Sequence, residues 1–436
     1  MATDLWNPLV SASEWRVKLD DVEDAIKNMQ ERHDSLREDY KKLSIKYNAT
    51  KICVMDSIWR YIPQNCEKFE YLPALDETLL ENENYIGNYY RLGSKLGSGQ
   101  FSTVRRCESL IPKVESESKI GAQELNKNNN NNNNNIYAVK VIKKEKYKTA
   151  DSIHRAENEV KALKILGHHK NILKLLDIIH GKSHLYLISE ILPMDLFEFT
   201  NAYKKYINDD VVGYILNSLL NGVNHMWENG MVHRDLKPEN VLIQVENDNF
   251  KIRICDFGLA RPHLEGQNLI DFCGSPGFFA PESVSHSPYC GFKADLFSVG
   301  CIGLELLTGM AFFRDKWLVP YRLLRSSRVG DFKFAIKESI SAAQSKLQAV
   351  YPNDMSHGIC SMINFDPSTR PAMKLLIGNE SRNGWLSRAD LPDRRERVID
   401  VLVNRLPASK SVACPRTGRG RSLHKKSKLP EVLGTS

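Results

Sequence analysis

Along residues 11–47 the apolar positions recur alternately every four and three residues. Trp15, Leu19, Val22, Ile26, Met29, Leu36, Tyr40, Leu43 and Tyr47 form a heptad seam in which His33 is the only polar member. Ser11 with Glu14 three residues on supplies a capping-box start. A helix of that length, about 50 Å at 1.5 Å per residue, cannot bury its seam alone. It must pack back on the following domain, pair with a second copy or dock on another helix. Residues 48–88 carry mixed signals and read as a linker. From Tyr89 the pattern shortens into strand-like runs, Tyr89–Lys95, Phe101–Cys107 and Ile136–Ile142. They are interrupted by an insertion, 110–135, that ends in consecutive asparagines, Asn128–Asn135. Such a tract cannot bury apolar surface and is expected as a disordered loop. From Asp209 onward helical periodicity takes over, in Val211–Trp227, Leu296–Leu307 and Phe334–Val350. A small strand-rich lobe followed by a larger helical lobe is expected over 89–386, an α+β arrangement, with a tail at 387–436.

Composition narrows this picture. The 436 residues, 42% hydrophobic and 26% charged, exclude a disordered or collagen-like polymer. Nine scattered cysteines with no C-x-x-C pair argue against a disulfide framework or a zinc module. No basic stretch followed by an apolar one opens the chain, so no secretory signal is expected. Leu296–Phe313 is apolar enough to imitate a membrane span but carries Glu305 in its middle, and a buried core helix explains it better. The expected location is the cytoplasm, with the nucleus as an alternative. The net charge of +7 is too small to imply nucleic-acid binding. Residues 391–436 hold 11 basic and 4 acidic side chains and so account for the whole excess.

Candidate chemistry lies in five short motifs. Leu96-Gly97-Ser98-Gly99 puts two glycines in a turn between strands, where missing side chains let backbone N–H groups approach a phosphate. Taken alone, the same turn suits any hairpin. Tyr137-Ala138-Val139-Lys140 is a strand with one lysine among apolar neighbours, which by itself reads as a solvent-facing charge. His233-Arg234-Asp235-Leu236-Lys237-Pro238-Glu239-Asn240 joins a carboxylate, a lysine two residues on and an amide five residues on. These are a proton acceptor, a cation for a transferring phosphoryl group and a neutral magnesium ligand. Asp256-Phe257-Gly258 follows, then Ala280-Pro281-Glu282.

In this order the motifs resemble the eukaryotic protein kinase family from about Tyr89 to Trp385. The Lys-Pro-Glu-Asn form of the loop resembles serine/threonine kinases. Gly99–Cys107 and Phe272-Cys273-Gly274-Ser275-Pro276 are similar to the calcium/calmodulin-dependent kinase group. The resemblance implies a two-lobed kinase fold, a small antiparallel sheet with one helix above a mainly helical lobe, here preceded by a coiled-coil-like helix. It also implies ATP and magnesium as cofactors and protein substrates as partners. Lys140, held by Glu159, would contact the phosphates beneath Leu96, Gly97, Ser98 and Gly99. Glu157 would be a solvated charge. Val104, Ala138 and Leu242 would enclose adenine, and Glu190, Ile191 and Leu192 would form the hinge, with Ser189 behind it and Asp195 just beyond. Asp235 would orient the substrate hydroxyl, Lys237 would neutralise the γ-phosphate, and Asn240 and Asp256 would ligate magnesium. His233 and Phe257 would pack as a spine, Asp295 would brace the catalytic loop, and Glu282 would pair with Arg370.

Departures from the family pattern bear on regulation. Phe297 and Phe278 stand where the family has tryptophan and tyrosine. Between Asp256-Phe257-Gly258 and Ala280-Pro281-Glu282 the only hydroxyl side chain is that of Ser275, which the resemblance places against Asp235. The family's regulatory phosphosite falls at Asp271, either a fixed charge paired with Arg234 or a solvated loop acid. Asp195, Glu239 and Glu305 fall where basophilic members read upstream arginines. The tail reads as a solvated appendage, a nuclear-import or anionic-surface patch, or a pseudosubstrate around Arg419-Gly420-Arg421-Ser422. Val398–Leu406 faintly resembles a calmodulin-binding segment. The rival to an active kinase is a silent pseudokinase scaffold acting through the coiled coil and the kinase fold.

Overall fold

Burial alternates at the start of Tyr90–Ser98 (β2), where Tyr90 and Leu92 turn to a core and Arg91 does not, whereas Ile136–Lys143 (β4), a central strand of the same antiparallel sheet, is buried or half-buried along nearly its whole length. The computed structural model describes residues 24–35, 38, 39 and 42. It then describes 72–377 apart from 74, 100–101, 111–135, 148–149, 247–248, 265, 286, 325–328 and 352. The asparagine-rich insertion, the basic tail, Gln100, Phe101 and most of the heptad seam therefore lie outside the described residues. The chain divides into two units. In the first, residues 24–35 form a helix (α1) whose side chains are exposed, Ile26 and Met29 among them.

In the second, six strands run in the order β1-β2-β3-β4-β6-β5. The remaining four are Tyr85–Ile86 (β1), Ser102–Ser109 (β3), Leu175–His180 (β5) and His184–Ser189 (β6). The expected strands are present, each a residue or more longer. Helix α2, Ala150–Leu166, presents Ile153, Ala156, Val160 and Leu163 as one buried stripe.

The lobe begins earlier than Tyr89, within the stretch read as linker. Ile86 is fully buried in the sheet's core, and Asp76 bridges to Gly181. The Glu81 carboxylate accepts from the amides of Ser183 (2.7 Å) and His184 (3.0 Å) at the β5–β6 turn. This strap has no periodicity because it is held by one carboxylate and a few bridges rather than by an amphipathic face.

The larger lobe is helical. Its elements are α3 (Leu196–Tyr203), α4 (Asp209–Glu228), α5 (Gly291–Phe312), α6 (Val319–Leu323), α7 (Val329–Val350), α8 (Asp354–Met362) and α9 (Met373–Ile377). Asn208 caps α4 by accepting from Val211 N. Phe332, Ile336, Ile340, Ala343 and Leu347 give α7 its buried face. Two small β elements hold the site: Val241–Glu246 (β9) pairs with Asn249–Ile254 (β10) and with Met194–Asp195 (β7), and Met231–Val232 (β8) pairs with Arg261–Pro262 (β11). Among the described residues one helical stretch, Gly291–Leu323, is long and apolar enough to cross a membrane, and 67% of its apolar window is buried in the lobe. It is the core helix expected from the sequence, since Leu296, Phe297, Val299, Ile302 and Leu304 are all fully buried.

Candidate active site

The cation at the site comes from the sheet. Lys140 sits in β4 opposite Val104 and Leu187, and Ala138 pairs with Ser189 of β6. The Lys140 ammonium donates to Glu159 Oε1 at 2.5 Å and to Asp256 Oδ1 at 3.0 Å. Glu159 is delivered by the packed stripe of α2 and is 4% exposed. Burial works to deprotonate Lys140, but Asp256 and Glu159 outweigh it and hold the ammonium charged. The Lys140 charge in turn drives Asp256 well below the usual carboxylate range, while burial pushes Glu159 up. Glu157 departs from its expected exposure: it lies four residues after Ile153 and three before Val160, on the edge of the same stripe. It is only 7% exposed, beside His154, and burial raises its carboxyl.

The expected proton acceptor, Asp235, lies in the loop between β8 and β9. Asp295, at the start of α5, accepts from His233 N (2.7 Å) and Arg234 N (2.8 Å), so the loop is anchored by its backbone. Arg234 and Asp256 are the non-glycine residues with positive φ among those described, 70° and 63°. Left-handed backbone at two such positions is strain held by surrounding contacts. The Asp235 carboxylate accepts from Lys237 Nζ (2.8 Å) and Ser275 Oγ (2.7 Å), and Lys237 also donates to Ser275 Oγ (2.6 Å). Asn240 Nδ2 donates to Asp235 O at 2.7 Å, which turns its oxygen the other way. His233 is fully buried against Phe257, ring centroids 5.0 Å apart.

The donor set fits a nucleotide and magnesium. Gly97 lies near the end of β2 opposite Val104, and a Cβ added there would meet no described atom within 4 Å, so a phosphate could approach its backbone. Among the described residues no three His, Cys, Asp or Glu side chains converge on a metal position. Asn240 and Asp256 alone would leave most of an octahedron to phosphate oxygens and water, as magnesium favours. Ser189 is buried behind Ala138, and Leu242 is half-buried in β9. At the expected hinge there is a contact that sequence reasoning misses: the Glu190 carboxylate accepts from Lys174 N (3.0 Å) and Arg253 Nε (2.8 Å).

Three acids from separate elements gather below this site. Asp195 caps α3 by accepting from Glu198 N at 2.7 Å, and burial pushes its carboxyl to about 7, with Glu198 and Glu239 adding negative charge. Glu305 of α5 is 6% exposed; burial, with Glu239 nearby, raises it to about 8. Oε2 of Glu305 and Oε2 of Glu239 are buried without a hydrogen-bond partner. Further along, Arg234 Nη2 donates to Asp271 Oδ2 at 2.6 Å, and Arg261 Nη1 to Asp271 Oδ1 at 3.3 Å. Against burial, Arg234 and Arg261 hold the Asp271 carboxyl below its ordinary range. A cavity of about 290 Å³ beside this cluster is lined by Arg155, Arg234, Arg261 and Asp271. Gly277, at φ +94°, is pinned by Trp317 Nε1 on its carbonyl (2.8 Å), and a Cβ there would strike Leu318. Glu282 grips Arg370 through two contacts, 2.6 and 2.8 Å.

Residues 117–380, more than half the chain, match the family model described as the protein kinase domain. The chain belongs to the protein kinase family. The calcium/calmodulin-dependent protein kinase type 1 of Caenorhabditis elegans is 34% identical over 245 residues, 56% of this chain and 61% of that protein. Death-associated protein kinase 2 of Homo sapiens is 31% identical over 324 residues, 72% of this chain and 77% of that protein. The delta subunit of calcium/calmodulin-dependent protein kinase type II of Oryctolagus cuniculus is 29% identical over 318 residues, 72% of this chain and 52% of that protein. The chain thus spans less than two thirds of the Caenorhabditis relative.

Proposed function

We propose that this chain is an ATP-dependent protein serine/threonine kinase. The observation that carries the reading is the joined set Lys140–Glu159–Asp256 facing an Asp235 already held by Lys237 and Ser275. In this reading Asp235 accepts the hydrogen bond of a substrate hydroxyl and aims its oxygen at the γ-phosphorus. Lys237 and Lys140 offer cations to charge that develops on the transferring group. Asn240 and Asp256 would hold magnesium, which when bound neutralises phosphate charge. The pseudokinase alternative finds no support in these contacts. The test is transfer of labelled phosphate from ATP to an arginine-containing peptide. Transfer by wild type and its loss in Asp256→Ala support the reading, and wild type that binds ATP without transfer overturns it.

The same reading extends to substrate choice: peptides with arginines upstream of the target hydroxyl. Its support is the acid group Asp195, Glu239 and Glu305, in which Oε2 of Glu239 and Oε2 of Glu305 are buried atoms without a hydrogen-bond partner, acceptors that a guanidinium could use. This gives a pH prediction with a definite sign. Glu305 is raised from 4.5 to about 8 in the folded chain, so the protonated form is favoured on folding and that stabilisation is lost as pH climbs from about 4.5 through about 8. Glu305→Gln keeps the neutral form. It should match wild type in thermal stability near pH 4.5, exceed it by about 2–4 kcal/mol near pH 9, and raise KM for the arginine peptide. Equal stability at both pH values would refute this.

Asp271 is read as a fixed substitute for a loop phosphate, supported by its two arginine contacts. Phosphatase-treated protein made in bacteria should keep its activity, and Asp271→Ala should lower it by about tenfold, the worth of one or two charge-assisted contacts. Loss of activity on phosphatase treatment would sink the idea. Self-association through the seam that includes Ile26 and Met29, calmodulin binding in 398–406 and a cytoplasmic or nuclear location belong to the same proposal. Their support is the sequence pattern and the likeness to calcium/calmodulin-dependent kinases.

A further inference from the structure

We propose that Arg253 is a positioning residue that locks the hinge to the end of helix α2 and so holds the nucleotide site in its assembled form. Arg253 lies outside the catalytic motifs, and this role for it rests on the kinase reading above. Arg253 projects from β10, opposite Leu242 and three residues before Asp256. Its Nε donates to Glu190 Oε1 at 2.8 Å, and its Nη1 donates to the carbonyl of Lys170. Both partners are largely buried, Arg253 17% and Glu190 24% exposed, so the pair is screened less than a surface ion pair.

The two points joined by this one guanidinium have different tasks. Glu190 begins the hinge, and its own amide donates to Lys174 O while its carboxylate accepts from Lys174 N. Lys170 lies in the loop that follows α2, the helix bearing Glu159. That loop is stitched to β10 by Ile254 N on Asn171 O (2.8 Å) and Leu173 N on Ile254 O (2.9 Å). Beyond β10 comes Asp256. Any drift of α2 that parts Glu159 from Lys140 must move this loop against Arg253, and any swing of the hinge must move Glu190 against it. The latch coexists with a closed Lys140–Glu159 contact, so it favours the arrangement that binds nucleotide. Removing it gives the hinge and α2 more freedom, and binding must then order them at the expense of affinity.

The test uses the full chain, with Mg·ATP titrated by calorimetry and steady-state kinetics on the arginine peptide. Arg253→Met should weaken ATP binding about tenfold, about 1.4 kcal/mol, and raise KM for ATP by the same factor, with kcat within about twofold. Glu190→Gln should do nearly the same, and the double variant should be no worse than either, as expected for two ends of one contact. Arg253→Lys, which keeps the charge but cannot reach two acceptors with a rigid fork, should recover part of the loss and serves as the folded control. Thermal midpoints of the variants should not track their ATP affinities. An affinity within twofold of wild type in Arg253→Met, additive losses in the double variant, or a rise in kcat that marks the latch as a brake would each overturn the proposal. A wild-type chain that binds no nucleotide would instead overturn the functional reading on which it rests.

Discussion

Replacing Asp235 with asparagine should lower kcat for phosphate transfer by about 10³-fold, within the range expected when a positioned proton acceptor is removed. ATP affinity should stay within about twofold, since Asp235 contacts Lys237, Ser275 and Asn240 rather than Lys140. The isosteric amide keeps the loop's shape, because the backbone of His233 and Arg234 is held by Asp295 and not by Asp235. The loss should therefore appear in kcat, measured by labelled phosphate transfer, with the nucleotide titration unchanged. An Asp235→Asn chain that turns over at more than a tenth of the wild-type rate would mean that Asp235 does not orient the hydroxyl.

The largest stability effect is expected at Arg370. Its side chain is 2% exposed and donates to both oxygens of Glu282, to Asn364 O (2.9 Å) and to Lys293 O (2.8 Å), with the guanidinium 4.8 Å over the Phe297 ring. Arg370→Met removes the cation and leaves Glu282 a largely buried carboxylate without the counter-charge that both its oxygens use. Breaking one side of such a pair costs about 3–5 kcal/mol, and thermal unfolding should fall by roughly 6–15 °C for a domain of this size. Adding Glu282→Gln should restore part of the loss, because the stranded charge and not the missing attraction is the greater penalty. A midpoint within two degrees of wild type would show that the pair is dispensable. Phe297, which stands where the family has tryptophan, keeps the aromatic face that the guanidinium lies over.

Much of the site is legible in the order of the residues, for a chemical reason. Asp235, Lys237 and Asn240 put a carboxylate, a cation and an oxygen ligand suited to phosphoryl transfer within one eight-residue stretch, so they announce themselves by spacing. The choice between Glu159 and Glu157 is legible only through the resemblance, and the expectation of a solvated Glu157 is wrong. Both acids lie on or beside the buried stripe of α2, and which one meets Lys140 depends on how the helix is rotated against the sheet. The strap at 76–86 escapes a sequence pattern because its hold on the lobe is one carboxylate reaching 102 residues along the chain to Ser183. Arg253 escapes for a similar reason. The alternation Lys251-Ile252-Arg253-Ile254 is a strand signal that puts Arg253 on a polar face but says nothing of Glu190, 63 residues away.

By itself, then, the sequence determined the lobes, the catalytic motifs and the buried character of Leu296–Leu307, because periodicity and short-range chemistry are local properties of the chain. Only the tertiary structure decided which charges meet: Lys140 with an aspartate 116 residues on, the gathering of Asp195, Glu239 and Glu305 around one buried patch, and the grip of Arg253 on the hinge. Those meetings are set by the path of the backbone between elements, and their energies come from desolvation and distance, neither of which is written in the order of the residues.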